Sequence, residues 1–374
     1  MNLPFAETLL ATYVGRRARR QPVAPLAAFE AGEVRRILLI LTTGIGDAIL
    51  SSAIFPSIRA AFPAARIALF CRTGWCPLFR ADPHLDEVIP YPGKFRQFFA
   101  TLKTLRQFQP DLSLVLHGND PDIIPLAYLA GSRFILRIPT RGTRFGDLLA
   151  NAQRPEDQQT QPQLHYIDNR LRLLDTLGIP AVTRAPSIHL PQALLDRTQT
   201  RLRACIGERP YWVLHLHGAD PYKSLPDSLG RELIALALER FPAHGLVLSG
   251  GPENRSVLKS LLPGNAKGRV CVAAGSFSLE ESAACLAGAQ AVVAPDTGIL
   301  HLAAALDRPV IGLYAPTRAN LVGPRAPGRT PLIIAKPLTC TPCLQKRCPH
   351  RPVTCMSQFS SAEILQALTP LLIP

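Results

Sequence analysis

Apolar residues along this chain gather in short runs, each closed by a turn rich in glycine or proline, and each turn leads into a stretch with helical spacing. Residues 35 to 41, "RRILLIL", form the first such run. Its unbroken apolar character predicts a parallel strand covered on both faces. The helical pattern "DAILSSAIFPSIRAAFP" follows, and then the strand "RIALFC" at 66 to 71, which completes a β-turn-α-β unit. After a helix rich in Phe, Leu and Lys, "LSLVLH" at 112 to 117 repeats the strand signal, and "RFILRI" at 133 to 138 gives another. Residues 139 to 163 are polar and rich in Pro, Arg and Gln, as expected of a mobile surface loop.

A helix is predicted over 165 to 177, stopping at Gly178, and the proline-punctuated "IPAVTRAPSIHLP" that follows suits a link between domains. Beyond it the alternation restarts. Strands are predicted at "YWVLHLH" (from 211), "GLVLSGG" (245), "VCVAAG" (270), "AVVAP" (291) and "PVIGLYAP" (309), with helices over 227–240, 253–261, 279–287 and 297–306 between them. Alternation of this kind predicts an α/β protein with mostly parallel sheets covered by helices on both faces, here as two Rossmann-like doubly wound domains. The expected division is a basic extension over 1–33, a first domain over 34–185 and a second over 186–374, the last including a Cys-rich segment at 340–355 and a terminal helix at 360–370. Ligands of such folds lie beyond the carboxyl ends of the strands, so a cleft between the two halves is the expected site.

Composition narrows the partners. The 374 residues are 47% hydrophobic, enough for two separate cores. Lys and Arg outnumber Asp and Glu by 41 to 27, a formal charge of +14, which calls for an anionic partner: nucleic acid, a phosphate-bearing small molecule or a membrane surface. Aromatic content of 6% and the absence of zinc-finger, RRM or basic-zipper patterns argue against nucleic acid. No apolar run reaches the roughly eighteen residues of a membrane span. At the N-terminus the apolar residues precede the arginines, the reverse of a secretory signal, so a cytoplasmic location is expected. Leu3, Leu9, Leu10, Tyr13 and Val14 followed by Arg16, Arg17, Arg19 and Arg20 read either as a helix lying on anionic lipid, each basic residue contributing ~1 kcal/mol, or as a frayed basic tail.

Four turns carry candidate chemistry. "TTGIGDA" is only a partial dinucleotide fingerprint: Gly44 and Gly46 match, the third glycine position is Ile49, and "RIALFC" ends in Cys71 and Arg72 with no acid to hold a ribose. A nicotinamide enzyme is therefore not expected, and Asp47 is read as a helix N-cap, a catalytic carboxylate, or both. In "VVAPDTGILHLAAALDRPVIGLYAP", Pro295, Asp296, Thr297 and Gly298 lead from a strand into an apolar helix whose N-terminal amides suit a diphosphate. Asp296 would then cap the helix or accept hydrogen bonds from sugar hydroxyls. "HLHGADPYKSLP" places Lys223 between strand and helix, where it could neutralise a departing phosphate or simply be a surface lysine. "VLSGGPEN" supplies Gly250 and Gly251 for close backbone approach and Glu253 for a ribose or base contact.

Together these turns resemble glycosyltransferase family 9, the ADP-heptose:lipopolysaccharide heptosyltransferases, over roughly residues 35 to 370. The family's I-G-D turn matches Ile45, Gly46 and Asp47; its D-T-G-x-x-H-L-A-A-A-L segment matches Asp296 through Leu306, including His301; its G-G-P-E turn matches Gly250 to Glu253; and its K-x-W-P stands as Lys223, Ser224, Leu225 and Pro226. The resemblance implies a GT-B fold with an acceptor-side first domain and a nucleotide-sugar-binding second domain. It further implies an inverting transfer needing no metal or other cofactor, with Asp47 as general base and Lys223 at the leaving group. Gly46, Gly250, Gly251, Glu253, Asp296, Thr297, Gly298 and His301 fall in the implied donor site. The chain departs from the family at Thr42 and Thr43, where a basic residue is common, at Leu225 in place of the aromatic, and at His217, Gly218, Ala219 and Asp220 in place of H-P-G-A.

The implied activity moves a heptose from ADP-heptose to the inner core of a lipid A-anchored oligosaccharide, at the inner face of the cytoplasmic membrane and with peripheral contact to anionic lipid. The alternatives are a relative acting on a protein or another glycan, a nucleotide-sugar-binding paralogue without turnover, and a sugar-nucleotide epimerase on the same plan.

Nine cysteines remain to be placed. Cys71, Cys76, Cys205, Cys271 and Cys285 lie in apolar contexts that suit core packing. Cys340, Cys343, Cys348 and Cys355 are clustered in "CTPCLQKRCPHRPVTCM", which reads either as a structural zinc or iron site of four thiolates or as a reduced, packed loop.

Overall fold

The computed structural model describes residues 3–138, 145–151, 164–341, 343, 348 and 355–373. Its contacts divide the chain into two compact units, Met1–Arg184 and Ala185–Pro374.

The first unit is built on five parallel strands, β1 (Arg36–Leu41), β2 (Arg66–Arg72), β3 (Glu87–Tyr91), β4 (Leu112–His117) and β5 (Phe134–Arg137), in the order β3-β2-β1-β4-β5. β1 is central and five of its six residues are buried, which explains its unbroken apolar sequence. The helices are α1 (Leu3–Ala18), α2 (Ile45–Ser51), α3 (Phe55–Ala61), α4 (Cys76–Phe79), α5 (Phe98–Phe108), α6 (Ile123–Leu129) and α7 (Tyr166–Thr176). One sheet face, carrying Leu38, Ile40, Ala68, Phe70, Val115 and Ile135, is covered by α1, α5 and α6 through Val14, Leu102, Leu105, Ile123 and Leu126. Of the two sequence readings of the N-terminus the frayed tail is wrong: α1 is a packed helix, because Leu10, Val14 and Ala18 share the face that seals this core.

The helix expected from Asp47 onward is broken. Ser52–Ile54 tighten into a 3-10 turn, Ser52 Oγ donating to the Ile49 carbonyl at 2.8 Å, and α3 restarts with Pro56 in its first turn. Proline has no N–H to continue the preceding helix but is well suited to open a new one. β3 escapes the pattern search because Pro90 interrupts it, which is tolerated where the strand lies at the sheet edge. Of the polar segment 139–163, residues 139–144 and 152–163 lie outside the described residues; Gly146–Leu148 form a 3-10 turn with Leu148 buried.

The second unit carries six parallel strands: β6 (Tyr211–His215), β7 (Gly245–Ser249), β8 (Val270–Val272), β9 (Val292–Pro295), β10 (Val310–Tyr314) and β11 (Leu332–Ala335), in the order β11-β10-β9-β6-β7-β8. Its helices are α8 (Gln192–Ile206), α9 (Asp227–Arg240), α10 (Arg255–Ser260), α11 (Leu279–Ala287), α12 (Gly298–Ala305), α13 (Ala319–Val322) and α14 (Ser361–Leu372). The hydrophobic pattern assigns no element to 192–206, because α8 buries only Leu194, Thr198, Leu202 and Ile206, a narrow stripe that includes a polar residue. α14 packs on α9 through Leu365 and Leu368, and it opens with a reciprocal cap between Ser360 and Glu363. No helix among the described residues is long and apolar enough to cross a membrane.

In both sheets the strand order reverses at one point, between β1 and β4 and between β6 and β9. Turns leaving two adjacent strands there diverge to opposite faces and leave a crevice at the carboxyl edge. The candidate chemistry of each unit collects at its own reversal point.

Candidate active site

In the first unit, β1 ends at Leu41 and the chain turns through Thr42 and Thr43 into α2, whose N-cap is Gly44 in extended conformation. Asp47 is thus the third helical residue and not the cap; that part of the sequence reading is corrected. Its carboxylate is free to face outward, with 30% of the side chain exposed. Thr43 Oγ1 donates to Asp47 Oδ2 at 3.3 Å.

Two residues from elsewhere in the unit face the same carboxylate. His117, the last residue of β4, places Nδ1 3.9 Å from Asp47 Oδ2, and Arg170 of α7 places a guanidinium nitrogen 4.0 Å from Oδ1. Burial, and then repulsion from Arg170, push the His117 pKa down to about 4, so the ring is neutral near pH 7 despite the attraction of Asp47. Its buried Nδ1 has no hydrogen-bond partner. Arg170 is itself buried, with Cζ 5.3 Å from the Tyr166 ring centre; burial lowers its pKa while Asp47 opposes the shift. The turn is held from behind by Arg72 Nε, donating to the Thr42 carbonyl, and by Trp75 Nε1, donating to the Thr43 carbonyl at 2.9 Å. Gly118 is required next to His117: a Cβ there would lie 2.3 Å from Thr42 Oγ1.

In the second unit, the turns after β6 and β9 meet. Lys223 Nζ donates to Asp296 Oδ2 at 2.8 Å, and Thr317 Oγ1 donates to the same oxygen at 2.8 Å. The Tyr314 hydroxyl and His301 Nε2 each lie 3.4 Å from Asp296 Oδ1. Burial alone would raise the Asp296 pKa, but hydrogen bonding from His301 and the charge of Lys223 outweigh it and hold the carboxyl well below its usual range. Asp296 therefore anchors a lysine.

Thr297, in extended conformation, is the N-cap of α12, but its Oγ1 makes no capping bond and is buried without a partner. It stands beside the free amides that begin with Gly298. Gly218 lets the two turns touch, since a Cβ there would lie 3.2 Å from Thr297 Cγ2. Leu225, at the aromatic position of K-x-W-P, is buried in the core under α9.

Lys223, Asp296, Thr297, Gly298 and His301 therefore form one cluster. Gly250 and Gly251 lie at the end of the neighbouring strand β7, where Gly251 N donates to Asn254 Oδ1 at 3.0 Å. Glu253 is exposed, its carboxylate folded over Gly251, and among the described residues no hydrogen bond joins it to the Asp296 cluster. Gly46 sits in the first turn of α2, in the first unit.

The four clustered cysteines do not form a cage as placed: no three of their sulfurs lie within 4.8 Å of one another, whereas Zn–S bonds of ~2.3 Å need closer sulfurs. Cys355 instead packs into the apolar core of the second unit, and burial with the neighbouring thiols raises its pKa.

Sequence reasoning missed Thr43, His117, Arg170, Tyr314 and Thr317. Arg170 left the clearest trace, because it interrupts the apolar spacing Ile167, Leu171, Leu174 on the buried face of α7.

The sequence profile of glycosyltransferase family 9 (heptosyltransferase) matches residues 140–354, more than half of the chain. The chain is 27% identical to lipopolysaccharide heptosyltransferase 1 of Pseudomonas aeruginosa over 355 residues, covering 85% of this chain and 88% of that protein. Its fold is similar to that of a family 9 glycosyl transferase from Veillonella parvula, with a TM-score of 0.73 and 18% identity over 91% of this chain and 97% of that one. It is likewise similar to the ADP-heptose lps heptosyltransferase II of E. coli, with a TM-score of 0.71 and 20% identity over 90% of this chain and 98% of the other. Two parallel sheets flanked by helices are the GT-B architecture of those structures. The chain belongs to glycosyltransferase family 9, the heptosyltransferase family.

Proposed function

We propose that this protein transfers a heptose from ADP-heptose to the lipopolysaccharide inner core, with inversion at the anomeric carbon and without a metal. The reading is supported by the names of its relatives and, most directly, by Lys223 held on the buried Asp296 carboxylate beside an unpartnered Thr297 hydroxyl and the free amides of α12. That grouping offers fixed positive charge and hydrogen-bond donors to a diphosphate leaving group. His301 orients Asp296, and Gly250, Gly251 and Glu253 border the donor's nucleoside.

Asp47 is the proposed general base. Its carboxylate takes the proton of an acceptor hydroxyl as that oxygen bonds to the anomeric carbon, and the bond from that carbon to the diphosphate oxygen breaks on the opposite side. ADP leaves with the electron pair, stabilised by Lys223 and the helix amides. Neutral His117 does not compete with the acceptor hydroxyl by pairing with Asp47 as a cation. Arg170, Arg137, Lys94 and Arg72 stand at the carboxyl edge of the first sheet against Asp47 and Asp120, Lys94 and Arg72 sharing Asp120, and this excess of cations fits an acceptor carrying phosphates and acidic sugars.

Incubation with a panel of ADP- and UDP-sugars, with and without a truncated lipopolysaccharide acceptor, tests the proposal. ADP release from ADP-heptose that requires the acceptor is expected; preference for a UDP-sugar, or nucleotide binding with no transfer, would overturn it.

A further inference from the structure

Two reduced thiols, Cys71 and Cys76, lie at the ends of the stretch "CRTGWC" in the first unit. Both are buried, and their sulfurs are 3.7 Å apart. Cys71 is the last residue but one of β2, paired with Leu41 at the end of β1, and Cys76 opens α4. Between them the chain turns through Thr73–Trp75, exposed at Thr73 and Gly74.

Buried cysteines commonly serve as small apolar residues. This pair differs in what its connecting segment holds. Arg72 Nε donates to the Thr42 carbonyl and Trp75 Nε1 to the Thr43 carbonyl, so both side chains that brace the Asp47 turn from behind lie inside the Cys71–Cys76 segment. Arg72 Nη2 also reaches Asp120 Oδ2 at 3.4 Å. A change in the spacing of the two sulfurs therefore acts on both donors together.

The thiols are also unequal. Their mutual hydrogen bond raises the Cys71 pKa and lowers that of Cys76; the charge of Arg80 adds to the lowering, against the effect of burial. Cys76 is the better thiolate and Cys71 keeps its proton, the roles of an attacking and a resolving thiol.

We propose that Cys71 and Cys76 are a site of reversible oxidation by hydroperoxides, and that the disulfide joining them slows transfer by drawing Arg72 and Trp75 off the turn that carries Asp47. Cys76 sulfur attacks one peroxide oxygen, the O–O bond breaks, and the other oxygen leaves as water with the proton of the Cys76 thiol. Cys71 sulfur then attacks the sulfur of this sulfenic acid, the S–O bond breaks, and its hydroxyl leaves as water with the Cys71 proton. Two thiols thus lose two electrons and two protons while one hydrogen peroxide becomes two waters. Bonding at ~2.05 Å requires the sulfurs to close by about 1.6 Å, a shift the turn between them has to absorb. The effect on transfer rests on the function proposed above; the oxidation does not.

The test treats the full chain with hydrogen peroxide, blocks remaining thiols with iodoacetamide and digests with trypsin. Cleavage after Arg66, Arg72 and Arg80 puts Cys71 in residues 67–72 and Cys76 in residues 73–80, so the disulfide appears as these two peptides joined, less two hydrogens. Joined peptides are expected, with the transfer rate down at least about tenfold, as a ~1 Å misplacement near a reacting group produces, and ADP affinity unchanged. Dithiothreitol should reverse both changes. Cys71→Ala should stop at a sulfenic acid on Cys76, captured by dimedone, and Cys76→Ala should keep its transfer rate under peroxide; the wild-type peptide map needs neither variant. Separate peptides after full reaction, joined peptides at an unchanged rate, or a peroxide-sensitive rate in Cys76→Ala would overturn the proposal. A chain that joins the peptides but transfers no heptose contradicts the proposed function alone, and a change in tryptophan emission that Cys76→Ala lacks then reports the movement of Trp75.

Discussion

Lys223 and Asp296, 73 residues apart in the chain, meet at 2.8 Å where the strand order of the second sheet reverses. The pair is shielded, with side-chain exposures of 22% and 7%, and Thr317, Tyr314 and His301 complete the surroundings of the carboxylate. Removing one partner from such a pair leaves an uncompensated charge. Asp296→Asn should therefore lower stability by about 3 kcal/mol and weaken ADP binding at least tenfold, because the lysine is no longer held. Urea unfolding and calorimetric titration with ADP check both; unchanged affinity would show that Lys223 needs no anchor.

The low pKa of Asp296 also sets a direction with pH. Because the folded-state value lies below the unfolded one, its contribution to stability is present above the ordinary carboxylate range and is lost only as pH falls toward the folded value. Thermal midpoints of wild type and Asp296→Asn should converge on acidification from pH 5 toward pH 3. A constant difference would contradict the assignment.

His215, buried with Nδ1 2.9 Å from Ser249 Oγ, acts in the same direction at higher pH. Burial, and then the neighbouring His217, hold its pKa down at about 4. The unfolded chain, with an ordinary histidine near 6.5, binds more protons between those values, so stability rises with pH through that window. Stability at pH 7.5 should exceed that at pH 5 by up to ~2 kcal/mol from this group, and His215→Gln should flatten the slope. Parallel urea curves for the two proteins across this range would refute the role.

A Cβ at Gly118 would lie 2.3 Å from Thr42 Oγ1 and 3.1 Å from Ile123 Cδ1, so Gly118→Ala has to shift these side chains or the turn that carries Asp47. A destabilisation of about 1–3 kcal/mol is expected, with loss of transfer and with ADP affinity retained, since the Asp296 cluster belongs to the other unit. Wild-type turnover in this variant would mean that the turn tolerates movement.

Arg170 faces Asp47 and, second to burial, holds the His117 pKa down. Arg170→Gln should raise the His117 pKa, visible in histidine NMR titration, and reduce kcat more than tenfold. An unmoved histidine would leave burial alone as the cause of its neutrality.

Much of this was legible in the chain. Unbroken apolar runs such as Arg36–Leu41 identify central parallel strands because both their faces are covered, and the turns after them identify Lys223, Asp296 and Asp47. Two of the four edge strands, β5 and β8, were legible, but the other two were not: Pro90 breaks the run of β3, and β11 is half exposed. α8 was hidden by its narrow stripe, and Asp47 was taken for a cap because Gly44, which needs no side chain to do the job, holds that position. His117 and Arg170 reach Asp47 only through the pairing of β4 with β1 and the packing of α7 on α2, which no local pattern encodes.

The central claim is that Asp47 removes the acceptor proton, and single-turnover transfer from ADP-heptose by wild type and Asp47→Asn tests it most directly. The account predicts a fall of about 10²–10⁴-fold in the transfer rate, with ADP affinity and thermal midpoint nearly unchanged. A variant that transfers within a few-fold of the wild-type rate would contradict it.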